Sequence, residues 1–295
     1  MKLKLVSDTE KLLKRLDALL DRVEPLIPTL PKAVIEFNGG AYHWKSLGNN
    51  GYFHKIDRPA NFKLSDLQCI ERQKKLIDRN TQQFLANLPA NNVLLWGPKG
   101  TGKSSLIKAL LNEYQDKGLN LIEVEREDLK DLRKIIDLLS NKEGHFILYC
   151  DDLSFEADDA SYKALKVVLD GSLTNTSENI LIYSTSNRRH LLPEYMSDNV
   201  ASKNINNELH LNESIEEKIS LSERFGLWLS FHPFNQDQYL EIVDYWLKKL
   251  GNNLDNNEFI KKASLKWALE RGSRSGRSAW QFAKDWTGQQ RLKEK

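Results

Sequence analysis

Cysteine is nearly missing. Cys69 and Cys150 are the two in 295 residues, and they lie far apart in the chain. A disulfide-stapled secreted scaffold is thereby excluded, and a reducing compartment is expected. Histidine is sparse, at 6, and neither cysteine sits in a CxxC or Cys/His cluster, which argues against a structural zinc site. An excess of charge is also absent. With 43 Lys and Arg against 41 Asp and Glu, the net charge is +2. Bulk charge therefore excludes a polybasic nucleic-acid binder and an acidic disordered chain, though not a local basic patch. Long apolar runs are lacking too. The longest, Val93–Trp96 and Phe146–Cys150, are strand-sized, far short of the ~20 residues that span a bilayer. The opening stretch MKLKLVSDTEKLLKRL carries charges throughout and no apolar h-region, so it does not read as a signal peptide. No membrane association and a cytoplasmic location are the resulting expectations.

What is present is a folded globular chain: 40% of residues are apolar, seven of them Trp. The length suggests about two structural units. Residues 8–24 carry Leu12, Leu13, Leu16, Leu19, Leu20 and Val23 at helical spacing. Ser7 and Glu10 fit a capping box, and Pro25 ends the run. The aromatic, Gly- and Asn-containing stretch 33–59 shows no clear period. Residues 1–60 are therefore expected to form an N-terminal appendage. From Leu64 helix and strand alternate: helix 64–88, strand 92–96, helix 103–117 stopping at Gly118, strand 119–124, helix 128–139, strand 146–150, helix 162–169, strand 180–184. The strands are apolar on both faces, as parallel strands covered by helices must be. Residues 199–212 are Asn-rich and read as a loop. After Phe234 only helical patterns remain, at 236–250, 258–271 and 278–286. The expected fold class is α/β. A P-loop-type αβα sandwich with a parallel sheet spans 61–233, and a small all-α lid spans 234–295.

The strongest motif is Gly97-Pro98-Lys99-Gly100-Thr101-Gly102-Lys103-Ser104. It satisfies GxxxxGK[ST] and lies between a predicted strand and a predicted helix, the context the motif needs. Its glycines let backbone N–H groups turn inward around phosphates. Lys103 would reach the β- and γ-phosphates and Ser104 would ligate Mg²⁺, with Ser105 the next residue of the same helix start. ATP and Mg²⁺ are the ligands this implies. The strand 146–150 runs directly into Asp151-Asp152. Asp151 is expected to hold Mg²⁺, and Asp152 to orient and deprotonate the attacking water, with Glu156 the alternative base. The strand ending Ser184-Thr185-Ser186 delivers Asn187, whose amide both donates and accepts and so can position water.

Taken together, these motifs resemble those of AAA+ ATPases. A closer resemblance is to a bacterial family of AAA+ ATPases of uncharacterised role. It is carried by Asn80–Phe84, Ala90–Gly97, Cys150–Glu156, Thr185–Leu191, Ser222–Leu229 and Arg274–Arg277, in order along residues 60–290. The resemblance implies further roles. Asn187 matches sensor 1. Arg224 matches the arginine finger that completes a neighbouring subunit's site. Arg277 matches sensor 2, with Arg274 the alternative. Leu67, Cys69 and Ile70 fall where such proteins pack adenine. A homo-oligomer, as a hexameric ring or a spiral, is implied as partner, acting on an unidentified protein or nucleic-acid client. Two departures stand out. Asp-Asp replaces the usual Asp-Glu, and Glu125-Arg126-Glu127-Asp128 after the second predicted strand lacks the aromatic–aliphatic–Gly triplet of a peptide-threading pore. The expected activity is Mg²⁺-dependent ATP hydrolysis driving conformational change. The rivals are a nucleotide-gated scaffold or loader that hydrolyses slowly, and a P-loop kinase.

Overall fold

The computed structural model describes residues 15–16, 36–48, 50–155, 160–170, 178–189, 191, 221–252 and 258–293. The N-terminal helix predicted at 8–24 and the loop at 199–212 lie essentially outside these residues, as does Glu156.

A seven-stranded sheet forms the centre. In chain order its strands are β1 (Gly40–Leu47), β2 (Asn50–Lys55), β3 (Val93–Trp96), β4 (Leu119–Glu123), β5 (His145–Cys150), β6 (Ile180–Ser186) and β7 (Leu227–Ser230). Their spatial order is β2-β1-β4-β5-β6-β3-β7. Every pairing is parallel except β1 with β2. The alternation along β5 shows why the strands read as unbroken apolar runs. Phe146, Leu148 and Cys150 face one helical layer, and Ile147 and Tyr149 face the other. Both faces are dry, so no polar alternation survives in the sequence.

On one face lie α1 (Glu71–Leu85) and α2 (Lys103–Tyr114); on the other lie α3 (Leu132–Leu139) and α4 (Ala160–Leu169). α3 buries Leu132, Ile135 and Leu139, one face at helical spacing. α2 is extended by a 3₁₀ turn, Gln115–Lys117, and stops at Gly118, which takes a left-handed conformation at φ 84°. Three helices follow β7: α5 (Gln236–Lys249), α6 (Glu258–Glu270) and α7 (Gly276–Lys293). Asn235 starts α5 with a reciprocal cap, accepting from Gln238 N at 2.9 Å while its own N–H donates to Gln238 Oε1 at 3.0 Å. None of the helices among the described residues is long and apolar enough to cross a membrane.

Three features differ from the sequence expectation. β7 is not among the expected strands, and it pairs with β3 at the sheet edge. Residues 40–55, assigned to an appendage, are a hairpin that extends the sheet beyond β4. Tyr42 and Trp44 bury completely in the α3–α4 layer, and the Trp44 indole N–H donates to Asp131. Gly40 and Ala41 are buried but small, and the other hairpin positions are half-exposed or exposed, which hides the period-2 signal. The single helix expected at 64–88 is broken. Leu64–Asp66 is a 3₁₀ turn, Cys69 sits in the left-handed region at φ 62°, and the helix proper begins at Glu71. Asp66 explains the break. Its buried carboxylate accepts from Lys63 N at 3.0 Å, from the Tyr245 hydroxyl at 2.5 Å and from Lys249 Nζ. The turn is thus pinned to α5 in preference to continuing α1.

Candidate functional site

The parallel strands β3, β5 and β6 end together, and their outgoing loops meet at one cavity. β3 hands over at Gly97, whose φ of 139° is closed to other residues. A Cβ there would also collide with the Phe231 carbonyl oxygen. The loop then turns through Gly100 (φ 79°) and Gly102 (φ 101°), and Gly102 caps α2. The first N–H groups of α2, at Lys103, Ser104 and Ser105, have no intrahelical acceptor and sit at the positive end of the helix dipole. That is the physical basis of an anion cradle.

Lys103 is 6% exposed. Its ammonium donates to the carbonyls of Gly97 (2.5 Å) and Pro98 (2.8 Å) and to Asn187 Oδ1 (3.3 Å). Burial brings its pKa down to about 8, against the upward pull of Asp152 and then Asp151 and with the help of neighbouring Lys99. Ser104 Oγ donates to Asp151 Oδ1 at 2.8 Å, and Thr185 Oγ1 donates to the same oxygen at 2.5 Å. Burial by itself would raise the Asp151 pKa, but hydrogen bonds from Thr185 and Ser104 outweigh it and hold the carboxyl below its ordinary value. Asp151 is therefore an ionised carboxylate beside a hydroxyl. This pair of hard oxygens suits Mg²⁺ better than a softer metal.

Asp152 stands at φ 50° and gives its N–H to Thr185 Oγ1 at 2.9 Å. Its carboxylate accepts from Asn187 Nδ2 and lies 3.7 Å from Lys99 Nζ. The structure thus brings Lys103, Ser104, Asp151, Asp152 and Asn187 into one hydrogen-bonded group. Thr185, which sequence reasoning passed over, ties the two aspartates together. Its position on a strand neighbouring β5 was the available signal.

The cavity is about 510 Å³, within the range of small-molecule sites. Lys99 to Ser105, Asp151, Asp152, Thr185, Asn187 and Arg277 line its polar end. Phe62, Leu67, Ile70, Phe234, Ile242, Trp246 and Trp280 line the rest. Arg277 arrives on the first turn of α7. Gly276 N donates to Gly100 O at 2.9 Å, and Ser275 and Ser278 cap each other reciprocally. Ser275 sits so close over Gly100 that a Cβ on Gly100 would approach its side chain at 2.8 Å. Arg274, the alternative to Arg277, lines a second pocket on the far side of the loop, together with Pro98.

One sequence expectation meets a different arrangement. Cys69 does not line the cavity. Its left-handed backbone turns the thiol to the Gln238 carbonyl at 3.7 Å, and Leu67, Gln68 and Ile70 supply that wall. Arg224 lies outside this chain's own cavity, with its Nε donating to Asp170 Oδ1 at the end of α4. The sequence reading also missed Trp246 and Trp280, whose rings are 4.5 Å apart and form an aromatic wall. They were hidden because a Trp at helical spacing reads first as core.

Residues 38–290 match the family described as "Protein of unknown function (DUF815)". The chain belongs to this family. It is 21% identical over 194 residues to the chaperone protein ClpB of Clostridium perfringens, a match covering 56% of this chain and 22% of that protein. Among solved structures it is similar to a mutant of Thermotoga maritima RuvB, at 16% identity and a TM-score of 0.50, over 75% of this chain and 63% of that one. It is also similar to Aeropyrum pernix ORC1 in complex with DNA, at 14% identity and a TM-score of 0.51, over 72% and 58%. The chain thus spans about a fifth of the curated relative and under two thirds of these structures. The fold shared with these structures is the AAA+ P-loop NTPase fold, a mostly parallel sheet between helices.

Proposed function

We propose that this chain binds Mg·ATP in the cavity and hydrolyses it to ADP and phosphate, and that the cycle drives a conformational change in a homo-oligomer. The observation that carries the reading is the single group of Lys103, Ser104, Asp151, Asp152 and Asn187, hydrogen-bonded together through Thr185, at the mouth of a glycine loop. In this reading the hairpin of residues 40–55 together with 61–233 is the nucleotide-binding core, and 234–295 is the lid. The triphosphate lies on the N–H groups of residues 100–105, and the base lies among Leu67, Ile70, Trp246 and Trp280. Ser104 and Asp151 hold Mg²⁺, which neutralises charge on the phosphates. Asp152 takes the proton of the attacking water, and Asn187 orients that water. Lys103 and Arg277 offset the charge that develops on the γ-phosphate. Arg224, directed away from its own cavity, serves a neighbour's site, and the assembly is a ring or spiral working in the cytoplasm on a protein or nucleic acid.

A second reading, a slow nucleotide-gated scaffold or loader, draws on one observation. Asp152 is engaged by both Asn187 and Lys99 and has one methylene less reach than the usual Glu. Steady-state phosphate release from wild type, Lys103→Ala and Asp152→Asn separates the two. The first reading expects turnover in wild type alone. Tight ATP binding with barely measurable turnover in wild type supports the second, and no ATP binding in wild type removes both.

A further inference from the structure

Tyr149 stands behind the cation end of the cavity and enters none of the chemistry above. It precedes Asp151 by two residues on β5 and its continuation, so both side chains leave the sheet on the side of α2. It is 1% exposed and packs in the same apolar layer as Leu106 and Leu110. In the parallel register it pairs with Tyr183 on β6. The two tyrosines differ in one respect. The Tyr183 hydroxyl meets Asn80 Nδ2 and Thr81 Oγ1, each at 3.0 Å. The Tyr149 hydroxyl is buried and has no aligned hydrogen-bond partner among the described residues. The polar groups beside it are Ser104 and Asp151.

Packing gives no reason for that hydroxyl, since a phenylalanine would fill the same space without burying an unpaired polar group. Asp151 Oδ1 already receives Ser104 and Thr185. A cation held by Ser104 and Asp151 would take up the Ser104 oxygen and change that arrangement. We propose that Tyr149 is a positioning residue of the cation site, its hydroxyl donating to the Asp151 carboxylate when the Ser104 oxygen is committed to Mg²⁺. The inference rests on the reading of Ser104 and Asp151 as the Mg²⁺ site.

The test is Tyr149→Phe in the full chain, with two readouts: the melting temperature without ligand, and the Mg²⁺ concentration that half-saturates binding of a non-hydrolysable ATP analogue. The expected result is a melting temperature equal to or above wild type and a Mg²⁺ requirement raised roughly tenfold, as loss of a group supporting a metal ligand gives. Binding of the analogue in EDTA should not change. An unaltered Mg²⁺ requirement overturns the proposal, and so does a lowered melting temperature with binding weakened equally with and without Mg²⁺. Asp151→Asn run alongside separates the underlying reading. If neither wild type nor that variant responds to Mg²⁺, the cation site itself is withdrawn and the inference falls with it.

Discussion

Nucleotide affinity should fall as pH rises through about 8, because Lys103 loses its proton there. The sign follows from the site. Burial disfavours the ammonium, and Asp152 and Asp151 only partly restore it, so the free protein gives up this proton well below the usual lysine value. With a pKa near 8, about nine in ten sites are charged at pH 7 and about one in ten at pH 9. If only the charged form engages the β- and γ-phosphates, apparent affinity for an ATP analogue weakens about tenfold across that interval. Lys103→Arg, permanently charged, should bind with no such pH dependence. Asp152→Asn removes the larger of the two charges that support the ammonium and should move the fall to lower pH. The assay is an equilibrium titration with a fluorescent, non-hydrolysable analogue at constant Mg²⁺ and ionic strength. An affinity that is level from pH 7 to 9 in wild type, or that drops equally in Lys103→Ala, would falsify this reasoning.

Asp152→Asn should keep Mg·ATP binding while cutting phosphate release by roughly 10²–10⁴-fold, and Asp151→Asn should raise the Mg²⁺ requirement; wild-type turnover in Asp152→Asn together with an inactive Glu156→Gln assigns the base to Glu156. Arg224→Ala should bind ATP normally and lose about 10³-fold or more in turnover. Mixed with Lys103→Ala it should regain activity above the sum of the parents, and no gain in oligomers shown to mix counts against a role in trans. Light scattering should show self-association with an ATP analogue, and a strict monomer at high concentration is the opposing result. Asp66 and Asp151 both sit below the ordinary carboxylate pKa, Asp66 because bonds from Lys249 and Tyr245 outweigh its burial. Their stabilisation is present above the unfolded carboxylate pKa and is lost as pH falls through the folded values. Acid unfolding monitored by circular dichroism should therefore begin at higher pH in Asp66→Asn, whose contacts to α5 are weakened at every pH. An unchanged acid midpoint speaks against that contribution.

The sequence made the inner strands and the phosphate end of the cavity legible for one physical reason. A buried parallel strand is a short apolar run, and its end is where polar residues begin: Gly97 and Asp151 each follow such a run directly, and Asn187 follows the polar end Ser184-Thr185-Ser186 of a third. What stayed hidden depends on contacts between distant segments. β7 is four residues long at a sheet edge, and only its pairing with β3 makes it a strand. The break at Cys69 follows from Asp66 meeting Tyr245 and Lys249, 179 and 183 positions away. The base end of the cavity is assembled from a turn before α1 and from α5 and α7, so neither Gln68 nor the Trp246–Trp280 wall carries a local mark. The pairing of Arg224 with Asp170 likewise joins residues that sequence alone leaves unrelated.

A crystal structure with Mg²⁺ and a non-hydrolysable ATP analogue tests the central claim most directly. The account predicts the triphosphate on the backbone of Gly100–Ser105, with Lys103 Nζ moved from the Gly97 and Pro98 carbonyls to the β- and γ-phosphates. It also predicts a cation on Ser104 and Asp151, and the base against Ile70, Trp246 and Trp280. An analogue bound elsewhere, or a cavity that excludes it at saturating concentration while Lys103 keeps its carbonyl contacts, would contradict it.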